Sequence, residues 1–87
     1  MQGLPCEEGK RLSIVYKGYD VGIYVPDFII EDKIIIEIKA ILEMPSVFEK
    51  QLYYYLKGTK YKLGYLVNFG GSELDIKRRI YDTARVK

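Results

Sequence analysis

Apolar residues in the first half of the chain recur in short β-branched runs separated by polar turns. Leu12–Lys17 (LSIVYK) has the composition of a strand, and Gly18-Tyr19-Asp20 reads as the turn that ends it. Val21–Ile30 reads as a second, longer strand. Pro26 lies inside it, and a proline without an N–H marks an edge or a bulge. Glu31-Asp32-Lys33 is a polar turn, and Ile34–Ala40 is a third strand, nearly all β-branched between its charges. Upstream, Leu4-Pro5-Cys6 and Glu7-Glu8-Gly9 read as a connector into the first strand.

The period then changes. Phe48, Leu52, Tyr55 and Leu56 form an apolar stripe at helical spacing. Ser46 followed three residues later by Glu49 predicts a capping box, with Pro45 just before the cap and Gly58 placed to end the helix. Lys62–Phe69 (KLGYLVNF) reads as a largely buried strand stopped by Gly70-Gly71. Leu74–Tyr81 alternates as a strand, although Asp75, Arg78, Arg79 and Asp82 could line a short helix; strand is the preferred reading. The order is β-β-β-α-β and one further element, an α/β domain with no internal repeat.

Composition narrows the chemistry. A chain of 87 residues makes one small domain whose core gains from oligomerisation. With 48% hydrophobic and 30% charged residues it reads as globular and soluble. No apolar run approaches the roughly 18 residues that span a bilayer, and no leader is recognisable, so a cytoplasmic location is expected. The single cysteine, Cys6, fits a reducing compartment. The absence of histidine excludes Ser-His-Asp and Cys-His catalysis and His-ligated zinc. Any metal must be held by carboxylates and backbone oxygens, which favours Mg²⁺, with Mn²⁺ as an alternative. Net charge is +2, but residues 1–49 hold five Lys/Arg against nine Asp/Glu while residues 50–87 hold nine against three. That split suits a nucleic-acid enzyme, and equally a pair of ordinary solvated faces.

The candidate chemistry lies in VPDFIIEDKIIIEIKA, residues 25–40. If Glu31–Lys33 is a three-residue turn, Ile30 pairs with Ile34 and Asp27 lies opposite Glu37. Their Cβ atoms would then be about 4.5–5.5 Å apart on one face. A one-residue slip would separate them to opposite faces. Two facing carboxylates on an apolar sheet repel each other, Lys39 relieves part of that, and a divalent cation would relieve most of it. Asp27 and Glu37 are therefore the candidate metal ligands, with the Ile38 carbonyl a third. Lys39 would position the attacking water or stabilise charge on a phosphate. The alternative is a polar stripe on a half-exposed hairpin. Gln51 and Tyr55, four residues apart, share a side of the helix and could face the same site, although core packing explains Tyr55 as well.

These residues resemble the PD-(D/E)XK nuclease superfamily, and within it the small GxxExxY proteins. The likeness is carried by Ile14–Gly18 with Val21-Gly22, Asp27-Phe28, Ile36–Ala40 (IEIKA), Gln51–Lys57 (QLYYYLK), Leu66–Gly70 (LVNFG) and Ile76-Lys77-Arg78. Gln51-x-x-x-Tyr55 is similar to the RecB-like nuclease helix motif. The resemblance implies a restriction-endonuclease-like αβββαβ core and an Mg²⁺-dependent nuclease with Asp27, Glu37, Lys39, Gln51 and Tyr55 at its centre. Here the core reads as βββαβ plus a C-terminal strand. The first helix and the glutamate it contributes are not recognisable, and the chain starts, at Gln2-Gly3-Leu4-Pro5, near where that helix should end. Residues 1–87 thus read as one domain, N-terminally truncated relative to the family. Glu7 and Glu8 are not assigned the missing role.

Three readings remain open from sequence. One is a DNA nuclease. The second is a non-catalytic nucleic-acid binder using Lys50, Lys57, Lys60, Lys62, Arg78 and Arg79. The third is a homo-oligomeric interaction protein, in which a second copy covers the sheet face left by the absent helix.

Overall fold

The computed structural model describes residues 5–81. Its elements are β1 (Cys6–Glu8), β2 (Leu12–Tyr16), β3 (Tyr19–Tyr24), β4 (Phe28–Ile30), β5 (Ile34–Lys39), α1 (Ser46–Gly58), β6 (Leu63–Asn68) and β7 (Asp75–Ile80). Five strands form one sheet in the order β1-β4-β5-β6-β7, and β2 and β3 form a separate hairpin. The expected βββαβ core with a C-terminal strand is present, and the described residues contain no helix ahead of β1. No described helix is long and apolar enough to cross a membrane.

The register expected from the Glu31–Lys33 turn is found: Ile30 pairs with Ile34, Ile29 with Ile35, and Phe28 with Ile36. Glu31 and Asp32 both take φ of 53°, and Lys33 N–H donates to the Ile30 carbonyl at 3.0 Å. Two left-handed residues in succession give the turn a twist that matches its strands. Asp32 is tied down further by Lys60 Nζ at 2.6 Å and Tyr61 Oη at 2.7 Å. β5 then pairs in parallel with β6, the connection being α1, and β7 adds antiparallel to β6.

Several sequence expectations need correction. The connector at Cys6–Glu8 is a strand, paired antiparallel with β4. The long strand over Val21–Ile30 is two strands in different sheets, because the chain breaks at the buried Pro26. The first hairpin turns at Lys17-Gly18, both with positive φ, rather than at Gly18-Tyr19-Asp20. Pro45 caps α1 and no side chain bonds there. Glu49 forms an ion pair with Arg79 instead of closing a capping box. Gly58 is the last helical residue rather than a left-handed stop. A Cβ there would lie 2.5 Å from Ile14 Cγ2, so glycine is needed for close approach of helix and hairpin. The helix end is satisfied by Lys62 Nζ, which donates to the Leu56 and Thr59 carbonyls. β6 alternates between buried and half-buried positions, in keeping with a largely buried strand. The preferred strand over Leu74–Tyr81 is β7; Asp82 and residues 1–4 lie outside the described residues.

The apolar stripe of α1 packs on one face of the sheet. Leu52 and Leu56 join Ile29, Ile35, Leu66, Tyr61, Ile14 and Tyr24 in a single core. Helix and hairpin therefore cover the same side. On the other side, Ile30, Ile34, Leu63 and Ile80 form one cross-strand row and Ile38, Val67 and Ile76 another, none of them buried.

A turn residue held at positive φ without being glycine is a place to gain stability. Glu31→Gly is expected to raise stability by about 0.5–1 kcal/mol. Thermal melting checks this, and an unchanged or lower Tm would show that the left-handed turn does not limit the fold.

Candidate active site

The site begins where the β4–β5 ladder stops. Pro26 has no N–H to donate, so regular pairing starts only at Phe28. The register puts Asp27 next in line, opposite Glu37. The two carboxylates continue the pairing with side-chain atoms. Asp27 N–H donates to Glu37 Oε1 at 2.9 Å, and Ile38 N–H donates to Asp27 Oδ2 at 2.7 Å. Each acid thus binds the backbone of the opposing strand through one oxygen. The two charges are held close by hydrogen bonds that do not neutralise them.

Glu37 feels this most. Burial holds its carboxyl above the ordinary range, and the charge of Asp27 pushes the same way. The Asp27 N–H and Lys39 pull against them. Lys39 shares the Glu37 face, and its Nζ sits 4.6 Å from the centre of the Phe48 ring on α1. A cation over an aromatic face is held by the ring quadrupole. Lys39 is therefore anchored without being in a direct ion pair with either acid among the described residues.

Behind Lys39 is a buried polar clamp. Asn68 pairs with Lys39 across β5 and β6 and is 3% exposed. Its Oδ1 accepts from the N–H groups of Ile41 and Gly70, and its Nδ2 donates to the Ile41 carbonyl. A Cβ on Gly70 would overlap the backbone of Ala40 and Ile41. The clamp fixes the chain just beyond β5, and with it the exit direction of the strand that carries Glu37 and Lys39.

The fold brings Glu37, Lys39, Gln51 and Tyr55 around one cavity, with Phe48, Leu52 and Leu66 completing its wall. Its volume is about 10 Å³, close to the smallest that holds one water, about 10–15 Å³. Gln51 is exposed at its rim. Tyr55 is half-buried and also packs against the core, its ring stacked on Tyr24 at 3.8 Å with an interplanar angle of 12°. Asp27 opens the other way, onto a groove of about 600 Å³ shared with Glu8, Val25 and Phe69.

Tyr24 was not legible as a site residue. It is 5% exposed, and its hydroxyl lies beside Glu37 without closing a hydrogen bond, the one buried side-chain polar atom of the described residues left without a partner. Burial drives its pKa far up, and the neighbouring Glu37 charge adds to this. The signal in the sequence was a tyrosine two residues before Pro26. Its meaning depended on the chain break that returns β3 toward the helix.

The six basic residues do not form one surface. Lys60 is paired with Asp32, Lys62 closes the end of α1, and Arg79 is paired with Glu49. Lys50 and Lys57 are exposed on the helix. Arg78 pairs with Tyr65, whereas its neighbour Arg79 pairs with Gly64. Alternation therefore puts Arg78 on the sheet face away from the helix.

The residues fit a hard divalent cation. Asp27 and Glu37 each keep an oxygen outside these two backbone bonds, burial holds the Glu37 carboxyl above its ordinary range, and the Tyr24 hydroxyl beside it is unpartnered. One or two carboxylates, with water or phosphate completing the shell, is how Mg²⁺ is commonly held. Among the described residues no third acid, cysteine or histidine joins the pair.

A family model for the PD-(D/E)XK nuclease superfamily matches residues 1–79, and the chain belongs to that superfamily. The fold described above is its restriction-endonuclease-like core without the first helix. Nucleases of this superfamily typically use divalent metals. No curated protein and no solved structure gives a significant match.

Because Glu37 keeps its proton to higher pH folded than unfolded, the folded state binds the extra proton between the two pKa values. Stability then falls as pH rises through that interval. In the absence of divalent metal, Glu37→Gln is expected to melt above wild type at neutral pH. The gap should close as pH falls below the unfolded Glu value of about 4.3. A wild type at least as stable as the variant at neutral pH would contradict this electrostatic account.

Proposed function

We propose that the protein is a divalent-metal-dependent nuclease that hydrolyses phosphodiester bonds of DNA. The observation that carries this reading is the convergence of Glu37, Lys39, Gln51 and Tyr55 on one water-sized cavity, with Asp27 held opposite Glu37 across the strand pair. The likeness of Gln51–Lys57 and Leu66–Gly70 to the GxxExxY proteins supports placing the chain near that group.

In this reading Asp27 and Glu37 hold Mg²⁺, or Mn²⁺ in its place, with the Ile38 carbonyl as a further ligand. Such a cation would supply Lewis acidity, lowering the pKa of water and polarising a phosphoryl oxygen. Lys39 places its ammonium beside the phosphate, where it stabilises the charge that builds up as water attacks phosphorus. The new bond joins the water oxygen to phosphorus. The bond that breaks is phosphorus to the leaving sugar oxygen, which takes up a proton. Gln51 at the cavity rim orients water or substrate through its amide, and Tyr55, stacked on Tyr24, sets the wall. Exposed Lys50 and Lys57 on α1 add long-range attraction for the phosphates.

A binding module without catalysis is the second reading, favoured by the absence of a third acid near the pair among the described residues. Nicking of supercoiled plasmid with Mg²⁺ or Mn²⁺ separates the two. Wild type is expected to cut, Glu37→Ala to fall to background, and Lys39→Ala to lose about 10²–10³-fold. Wild type and both variants equally inert with either metal, while still binding DNA in a salt-dependent way, would favour the second reading.

A further inference from the structure

The sheet face turned away from α1 has nothing packed on it among the described residues. One cross-strand row on that face runs Glu8, Phe28, Ile36, Tyr65, Arg78 from β1 to β7. The two flanking rows are apolar apart from the thiol of Cys6, which pairs with Ile30 at the β1 edge. The two charged groups of the face therefore stand at opposite ends of the same row. Both are exposed, and neither forms an ion pair among the described residues. Five strands at about 4.8 Å spacing and three rows about 7 Å apart give an apolar area of roughly 400 Å² in projection. Patches of a few hundred Å² or more mark interaction sites.

We propose that this face closes against the same face of a second copy of the chain. The charge placement selects the partner and the symmetry. A two-fold axis parallel to the strands and passing over β5 exchanges the two edges of the sheet while keeping each row at its own height. It sets Glu8 of each copy over Arg78 of the other. It also sets Phe28 over Tyr65 of the other copy and Ile36 over its own symmetry mate. Such an isologous contact satisfies both charges twice and buries the apolar rows between sheets about 10 Å apart. The other two-fold axis in the plane of the interface, running across the strands, would stack Glu8 on Glu8 and Arg78 on Arg78. That arrangement is repulsive.

The dimer rests on the sheet face alone and not on the nuclease reading. Its axis nevertheless has a consequence for the site. Rotation about the strand direction leaves both Asp27–Glu37 pairs at the same end of the dimer, where one duplex could meet both.

Sedimentation across a dilution series tests the proposal. Wild type is expected to dimerise, and Ile36→Lys to be monomeric. Ile36→Lys could instead unfold the sheet, so the surface charges give the sharper test. Glu8→Arg alone and Arg78→Glu alone are each expected to weaken the dimer about tenfold or more, since each change affects two symmetry-related pairs. The double variant Glu8→Arg/Arg78→Glu is expected to recover most of the affinity, with circular dichroism unchanged throughout. A wild type that stays monomeric at every concentration overturns the proposal. So does a dimer indifferent to the single swaps, or one not restored by the double swap.

Discussion

The structure turns on an exchange between two carboxylates and two backbone N–H groups across one strand pair. Asp27 N–H donates to Glu37 and Ile38 N–H donates to Asp27. Pro26 makes this necessary, since it interrupts the ladder one residue earlier. The Glu31–Lys33 turn makes it possible by setting a register in which 27 meets 37. A register shifted by one residue would turn Glu37 to the opposite face from Asp27 and set Asp27 against an isoleucine. The arrangement holds like charges together, and burial raises the penalty at Glu37. Elements further out then respond to that centre. Lys39 is braced on Phe48, the Asn68 clamp fixes the strand exit, and Tyr24, stacked on Tyr55, lies beside the half-buried Glu37.

The hairpin was legible because its logic is local. A polar turn of known length between β-branched runs sets both register and face, and the Asp27–Glu37 opposition follows from counting. Gln51 and Tyr55 were legible as a pair because helical spacing alone puts them on one side. What could not be read depended on contacts between distant segments. Ser46 and Glu49 have the chemistry of a capping box, but Arg79 lies 30 residues further along and takes Glu49 as its partner. Gly58 looks like a helix stop, but its role comes from Ile14 and Tyr16 in the other sheet. Tyr24 could be placed beside Glu37 only once the long strand was known to break at Pro26. The count of basic residues says nothing of alternation, which sends Arg78 and Arg79 to opposite faces.

The two sides of the sheet have different tasks. One side is filled by α1 and the β2–β3 hairpin and carries Glu37, Lys39 and the water-sized cavity. The other is a largely apolar face whose charges stand at opposite ends of one row. The row of Glu8 and Arg78 gives the second side a physical rationale that does not depend on catalysis.

The central claim is that Asp27 and Glu37 form one cation site. Mn²⁺ binding followed by electron paramagnetic resonance tests it without substrate or turnover. Wild type is expected to take up one Mn²⁺ per chain, with Mg²⁺ competing, and Asp27→Asn and Glu37→Gln are each expected to abolish that uptake while remaining folded. Uptake that persists unchanged in both variants, or no uptake by the folded wild-type protein, would contradict the account.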